Sequence, residues 1–127
     1  MKPIRLSLVA VALAAVLAAC GTTSAGGGSA PDPADADVTV TAVDMAFDPG
    51  TVTVAAGESF TIALVNKDAM PHNIAIYTDS SKSEKLFEGE MVTGGTVVYD
   101  LPALDAGEYF FDCSLHPNMT GTLVVEG

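Results

Sequence analysis

The chain has 127 residues, with 16 acidic side chains against five lysines and arginines, a formal net charge of −11 at pH 7. A surface of that sign repels phosphate backbones, which argues against nucleic acid as a partner. Two cysteines and two histidines likewise argue against a disulfide-dense scaffold and against any centre that needs many imidazoles.

Residues 1–19 read as an export signal. Lys2 and Arg5 supply the positive start, and residues 8–19 form an unbroken apolar run. As a helix that run spans roughly 18 Å, short of the ~30 Å hydrocarbon core of a bilayer, so it suits the apolar region of a signal peptide rather than a spanning helix. It ends in "LAAC", residues 17–20, which resembles the bacterial lipoprotein box. The resemblance implies a lipid on Cys20, each buried methylene adding ~0.8 kcal/mol of membrane affinity. The expected location is outside the cytoplasm, lipid-anchored to the cell membrane. The plainer alternative is an ordinary signal peptide with an incidental cysteine.

Residues 20–37 hold Cys20 and then a Gly, Ser, Ala, Thr, Pro and Asp run. That composition cannot bury a core and reads as a flexible linker, up to roughly 60 Å long when extended. With Cys20 acylated, Cys113 is an unpaired thiol in an oxidising compartment and requires an explanation. The folded domain is expected over residues 38–127. Without Lys2 and Arg5, the chain keeps Lys67, Lys82 and Lys85 against all sixteen acids, leaving −13. A basic protein partner or a salty habitat fits that charge, and so does a plain solvated surface.

Within the domain the apolar period is two. Residues 38–43, 51–54, 59–66, 72–77, 96–101, 108–113 and 120–127 alternate and are rich in β-branched and aromatic side chains, so each reads as a strand. Turn residues separate them at "DPG", "AAGE", "NKDAMP", "TGG" and "LDAGE". The acidic stretch 79–88 fits either a short helix or a loop. Seven to eight strands in about ninety residues predict an all-β, Greek-key antiparallel β-sandwich. "DAGEY" predicts a tyrosine corner at Tyr109.

The chemistry-bearing residues gather late in the chain. In "EYFFDC" the period places Tyr109, Phe111 and Cys113 on the inward face and Phe110 and Asp112 on the other. His116 and Met119 follow at once, in the spacing C-x2-H-x2-M, and His72 opens a strand 41 residues before Cys113. A strand start and a strand end can share one pole of a sandwich. Two imidazoles, one thiolate and a weak thioether form the ligand set of a blue copper centre. Structural zinc would want a second cysteine or third histidine as its fourth strong ligand, which the domain lacks. Singly, each residue has a simpler role: a cysteine as a small core hydrophobe, a histidine at the surface, a methionine as packing. Met45 and Met91 are read as packing.

"PHN" at 71–73 and "GEYFFDCSLHPNMTGTLVV" at 107–125 resemble the cupredoxin family, and "DMAFDPGTVTVAAGESFTIALVN" at 44–66 resembles its N-terminal half. The short ligand loop is most similar to amicyanin-type and plastocyanin-like bacterial lipoproteins. The resemblance implies one Cu(II)/Cu(I) ion held by His72, Cys113, His116 and Met119. It implies a hydrogen bond between Asn73 and Ser114 that pins the loop. It also implies a monomer whose redox partners dock near His116, on an apolar collar of Met70, Pro71, Leu115 and Pro117. The expected function is a membrane-tethered one-electron carrier, not an enzyme. The alternative is a copper-holding chaperone or storage protein.

Overall fold

The structure, a computed structural model, describes residues 32–127. The expected signal peptide, Cys20 and most of the linker lie outside the described residues. After a single 3-10 turn at Pro33–Asp35, nine strands follow: β1 Val38–Val43, β2 Ala46–Asp48, β3 Thr51–Ala55, β4 Phe60–Asn66, β5 Ala75–Tyr77, β6 Lys85–Glu88, β7 Gly95–Leu101, β8 Gly107–Cys113 and β9 His116–Glu126. They form two sheets, ordered β2-β1-β4-β7 and β3-β9-β8-β5-β6. The all-β sandwich expected from the period-two pattern is the observed fold.

Three details differ from the sequence reading. Two pairings are parallel, β1 with β4 and β3 with β9, so both sheets are mixed. Alternation reports which residues face inward but not strand direction. Parallel neighbours need a long crossover, and here the chain passes into the other sheet between β1 and β4. Strands β2 and β6 were not expected, since three and four residues are too few to display a period. The acidic stretch therefore holds neither a helix nor a pure loop but ends in an edge strand, short and charged as edges tend to be. Finally, β9 begins at His116 rather than at residue 120.

The inward faces fit the strand pattern. Val40, Ala42, Ile62 and Leu64 from one sheet meet Ile76, Phe111, Leu123 and Val125 from the other, all buried. Phe47 and Phe111 pack with ring centroids 5.3 Å apart. The Tyr109 hydroxyl donates to the Asp105 carbonyl at 2.9 Å, which is the tyrosine-corner bond. Asp112, on the other face of β8 from Cys113, is nonetheless fully buried. Lys82 lies over it, with Nζ 2.5 Å from Oδ2, so a charge on the outward face is covered by its own counter-ion.

The entry to the domain is also tied down. The Asp37 carboxylate accepts from the Thr61 backbone N–H at 2.7 Å and from its hydroxyl at 2.9 Å, while Asp37 N–H donates to Thr61 Oγ1 at 3.0 Å. The Thr61 backbone N–H, then its hydroxyl, hold this carboxyl below its ordinary value of 3.8. A lowered folded-state pKa means the unfolded chain binds the proton more readily, so stability rises with pH. The clamp is fully present above the ordinary value and is lost as pH falls through the lowered one. Thermal melts below about pH 4 should therefore show a steeper loss of Tm in the native chain than in Asp37→Asn, the two curves converging at lower pH.

Candidate metal centre

The β8–β9 hairpin sets the geometry. Cys113 ends β8, Ser114 and Leu115 make the turn, and His116 opens β9 directly opposite Cys113. His72 lies just before β5, whose Ala75 pairs with Asp112 of β8. A two-way backbone bridge between His72 and Val92, at 3.0 and 2.9 Å, holds His72 in register. Residues 41 apart in sequence thus meet at one pole because β5 and β8 are neighbours.

The structure brings together three of the four candidate ligands, His72, Cys113 and His116. Nδ1 of His72 lies 3.2 Å from Nδ1 of His116. Cys113 Sγ lies 3.8 Å from the first and 3.5 Å from the second. A point about 2 Å from all three lies in their plane, which is the length of a metal–imidazole bond. One thiol sulfur and two imidazole nitrogens in a trigonal set, in a pole where His72 and Cys113 are fully buried, are suited to one copper ion. Met119 lies three residues beyond His116 on β9, is buried, and belongs to the same packed cluster as Cys113. No second cysteine is available among the described residues, so the donor set does not favour structural zinc.

Two hydrogen-bonded supports hold the pole. In the first, Asn73 Nδ2 donates to Gly89 O at 2.9 Å and Ser114 Oγ at 3.1 Å, and Ser114 N–H donates to Asn73 Oδ1 at 2.8 Å. The Ser114 hydroxyl goes on to Glu88 Oε1 at 2.8 Å. Lys85 first, then this hydroxyl, hold the Glu88 carboxyl below its usual range. Asn73→Ala leaves the Ser114 N–H and the Gly89 carbonyl without their partner in a buried place. A loss of about 2 kcal/mol is expected in chemical denaturation of the copper-free protein, with faster release of bound metal to a chelator.

The second support runs through Asp68. Its Oδ2 accepts from His72 Nε2 at 2.9 Å and from Met45 N–H at 3.1 Å, and Oδ1 accepts from Asp44 N–H at 2.9 Å. The Met45 N–H first, then the His72 ring and the Asp44 N–H, hold this carboxyl below the usual range. Asp68 N–H donates to Asn66 Oδ1 at 2.9 Å, and Asn66 Nδ2 donates to the carbonyls of Met70 and Val92, each at 2.8 Å. Sequence reasoning missed Asn66, Asp68 and Glu88. A carboxylate four residues before a candidate ligand, in "DAMPH", was the available signal for Asp68. Glu88 lay in an acidic run whose pairing only β6 reveals.

The rim of the pole is apolar and open. His116 is half-buried, Pro71 is half-buried, and Pro117 is exposed. Met70 and Leu115 are 49% and 54% exposed. Met45 and Met91, expected as packing, are instead 42% and 40% exposed. Met45 sits in the β1–β2 turn on Asp68, and Met91 precedes the residue that bridges His72, so neither side chain reaches the core.

Three comparisons bear on this geometry. The Cupredoxin-like domain family model matches residues 9–125. Amicyanin of Paracoccus denitrificans is 32% identical over 123 residues, covering 89% of this chain and 91% of the relative. Amicyanin of Paracoccus versutus is 39% identical over 94 residues, covering 74% and 67%. A solved structure of an amicyanin variant in its Cu(I) form superposes with a TM-score of 0.55 at 29% identity, covering 70% of this chain and 81% of that one.

Proposed function

The chain belongs to the cupredoxin-like family, and from that premise we propose that it is a one-electron carrier working on a single copper held by His72, Cys113, His116 and Met119. The observation that carries this reading is the triangle of two imidazole nitrogens and one sulfur, 3.2, 3.5 and 3.8 Å on a side, in a buried pole. The relatives are amicyanins, and one related structure holds Cu(I). Copper bound there would supply a Cu(II)/Cu(I) couple, taking up or releasing one electron.

The chain's own residues supply the rest. Cys113 enters as thiolate, and the soft sulfur suits Cu(I) while the imidazoles suit Cu(II). The Asn73–Ser114–Glu88 chain and the Asp68 carboxylate keep the donors from relaxing when charge changes, so little reorganisation opposes the electron. The half-buried edge of His116 is the exit, and the apolar rim of Met70, Pro71, Leu115 and Pro117 gives a redox partner a surface that sheds water on contact. We further place the domain at a membrane outside the cytoplasm, held by a lipid on Cys20 and the linker that follows. The "LAAC" box after an apolar run supports that placement.

The copper-holding alternative has one observation behind it, the exposed thioethers of Met45, Met70 and Met91 near the pole. Electron self-exchange separates the two. In mixtures of Cu(I) and Cu(II) protein, a carrier should show NMR line broadening at the copper-pole resonances that grows with concentration. Slow exchange with separate, sharp Cu(I) lines would sink the carrier reading and leave the holding one.

A further inference from the structure

We propose that Asp68 is a positioning residue that fixes which nitrogen of His72 meets the metal and strengthens that histidine's preference for Cu(II) over Cu(I). The proposal rests on the copper reading above and goes beyond it to the control of the couple.

The two histidines are held differently. His72 has no exposed surface, so no water competes for its Nε2, and that nitrogen lies 2.9 Å from Asp68 Oδ2. A carboxylate only accepts there, so Nε2 carries the proton and Nδ1 presents its lone pair toward Cys113 Sγ and His116 Nδ1. His116 is half-buried and has no carboxylate on its ring among the described residues. The carboxylate itself cannot swing away. The N–H groups of Asp44 and Met45 grip its two oxygens, and its own N–H is anchored on Asn66. An anionic acceptor on the remote nitrogen makes the coordinating nitrogen a stronger donor. A stronger donor favours the ion of higher charge, so Asp68 lowers the reduction potential relative to a neutral residue there.

The same carboxylate has a structural duty that must be separated from this one. Asp44 and Met45 hold φ of 53° and 60°, left-handed values unusual for residues other than glycine. Asp68 satisfies the N–H groups of that tight turn. Asp37→Asn removes one negative charge and the Thr61 clamp at the start of β4, the end of that strand away from Asn66, without touching His72, and serves as the control.

The test compares native protein, Asp68→Asn and Asp37→Asn, each loaded with one equivalent of copper, by visible absorption, potentiometry and Cu(II) competition. Asp68→Asn should keep the intense visible band, raise the reduction potential, and weaken Cu(II) binding about 10–100-fold. Asp37→Asn should alter Tm and leave the potential close to where it was. An Asp68→Asn protein with the band present and the potential unchanged overturns the proposal. Should Asp68→Asn not fold, nitrogen-resolved NMR of the native copper-free protein decides. An exchange-protected proton on Nε2 of His72 supports the proposal, and a proton on Nδ1 overturns it. A native protein with no intense band fails the copper reading itself, so the two failures are distinguishable.

Discussion

Cys113→Ser is expected to remove the intense visible absorption of the copper-loaded protein completely, leaving only weak ligand-field colour. That band needs a thiolate whose electrons can be promoted to the metal, and Cys113 is the only cysteine among the described residues. A serine hydroxyl at that place keeps its proton at neutral pH and is a hard, neutral donor that suits neither Cu(I) nor a trigonal soft site. The domain should still fold. The substitution nearly conserves volume at a fully buried position, and the nitrogens of His72 and His116, now 3.8 and 3.5 Å from the sulfur, can partner a hydroxyl. The cost to the copper-free protein should be about 1 kcal/mol. Circular dichroism on the same sample checks this, and a retained band would mean that the sulfur is not a ligand.

Gly121→Ala is expected to have the largest effect on stability. Gly121 of β9 lies opposite Phe111 of β8. A Cβ there would enter the Phe111 ring, meeting Cε2 at 2.5 Å and Cε1 at 2.7 Å. The ring has no room to retreat, being buried and packed against Phe47. Overpacking of this kind costs about 3 kcal/mol, which in a domain of this size lowers Tm by roughly 10 °C or more. Because Phe111 stands two residues before Cys113 on the same face, copper release should also become faster. A variant that melts within a degree or two of the native protein would mean that β8 and β9 part more easily than the packing implies. In sequence Gly121 is an unremarked residue in a strand; its need to be glycine depends on a cross-strand aromatic.

How far the sequence could be read follows from what kind of information each feature carries. Inward and outward faces are local, so the strands with clear alternation, the sandwich, and the inward placement of Phe111 and Cys113 were legible. Strand direction is not local, and the parallel pairings of β1 with β4 and β3 with β9 left no mark in the alternation. The donor set was legible because cysteine and histidine are scarce here, so their spacing stands out. Its supports were less so. Asn73 and Ser114 followed from the family resemblance, whereas Asp68 and Glu88 were two acids among sixteen, distinguishable only once the fold set them against His72 and Ser114. Met45 and Met91 were misjudged because methionine is usually core, and nothing local reveals that the β1–β2 turn and the segment before Val92 reach the open pole.

The most direct measurement is a visible-absorption titration of the protein with Cu(II), followed by ascorbate and then by ferricyanide. The account predicts one intense charge-transfer band that saturates at one equivalent, bleaches fully on reduction and returns on reoxidation through repeated cycles. A pale spectrum at every ratio, or a band that needs more than one equivalent and does not return, would contradict a single copper held by His72, Cys113, His116 and Met119 as a one-electron carrier.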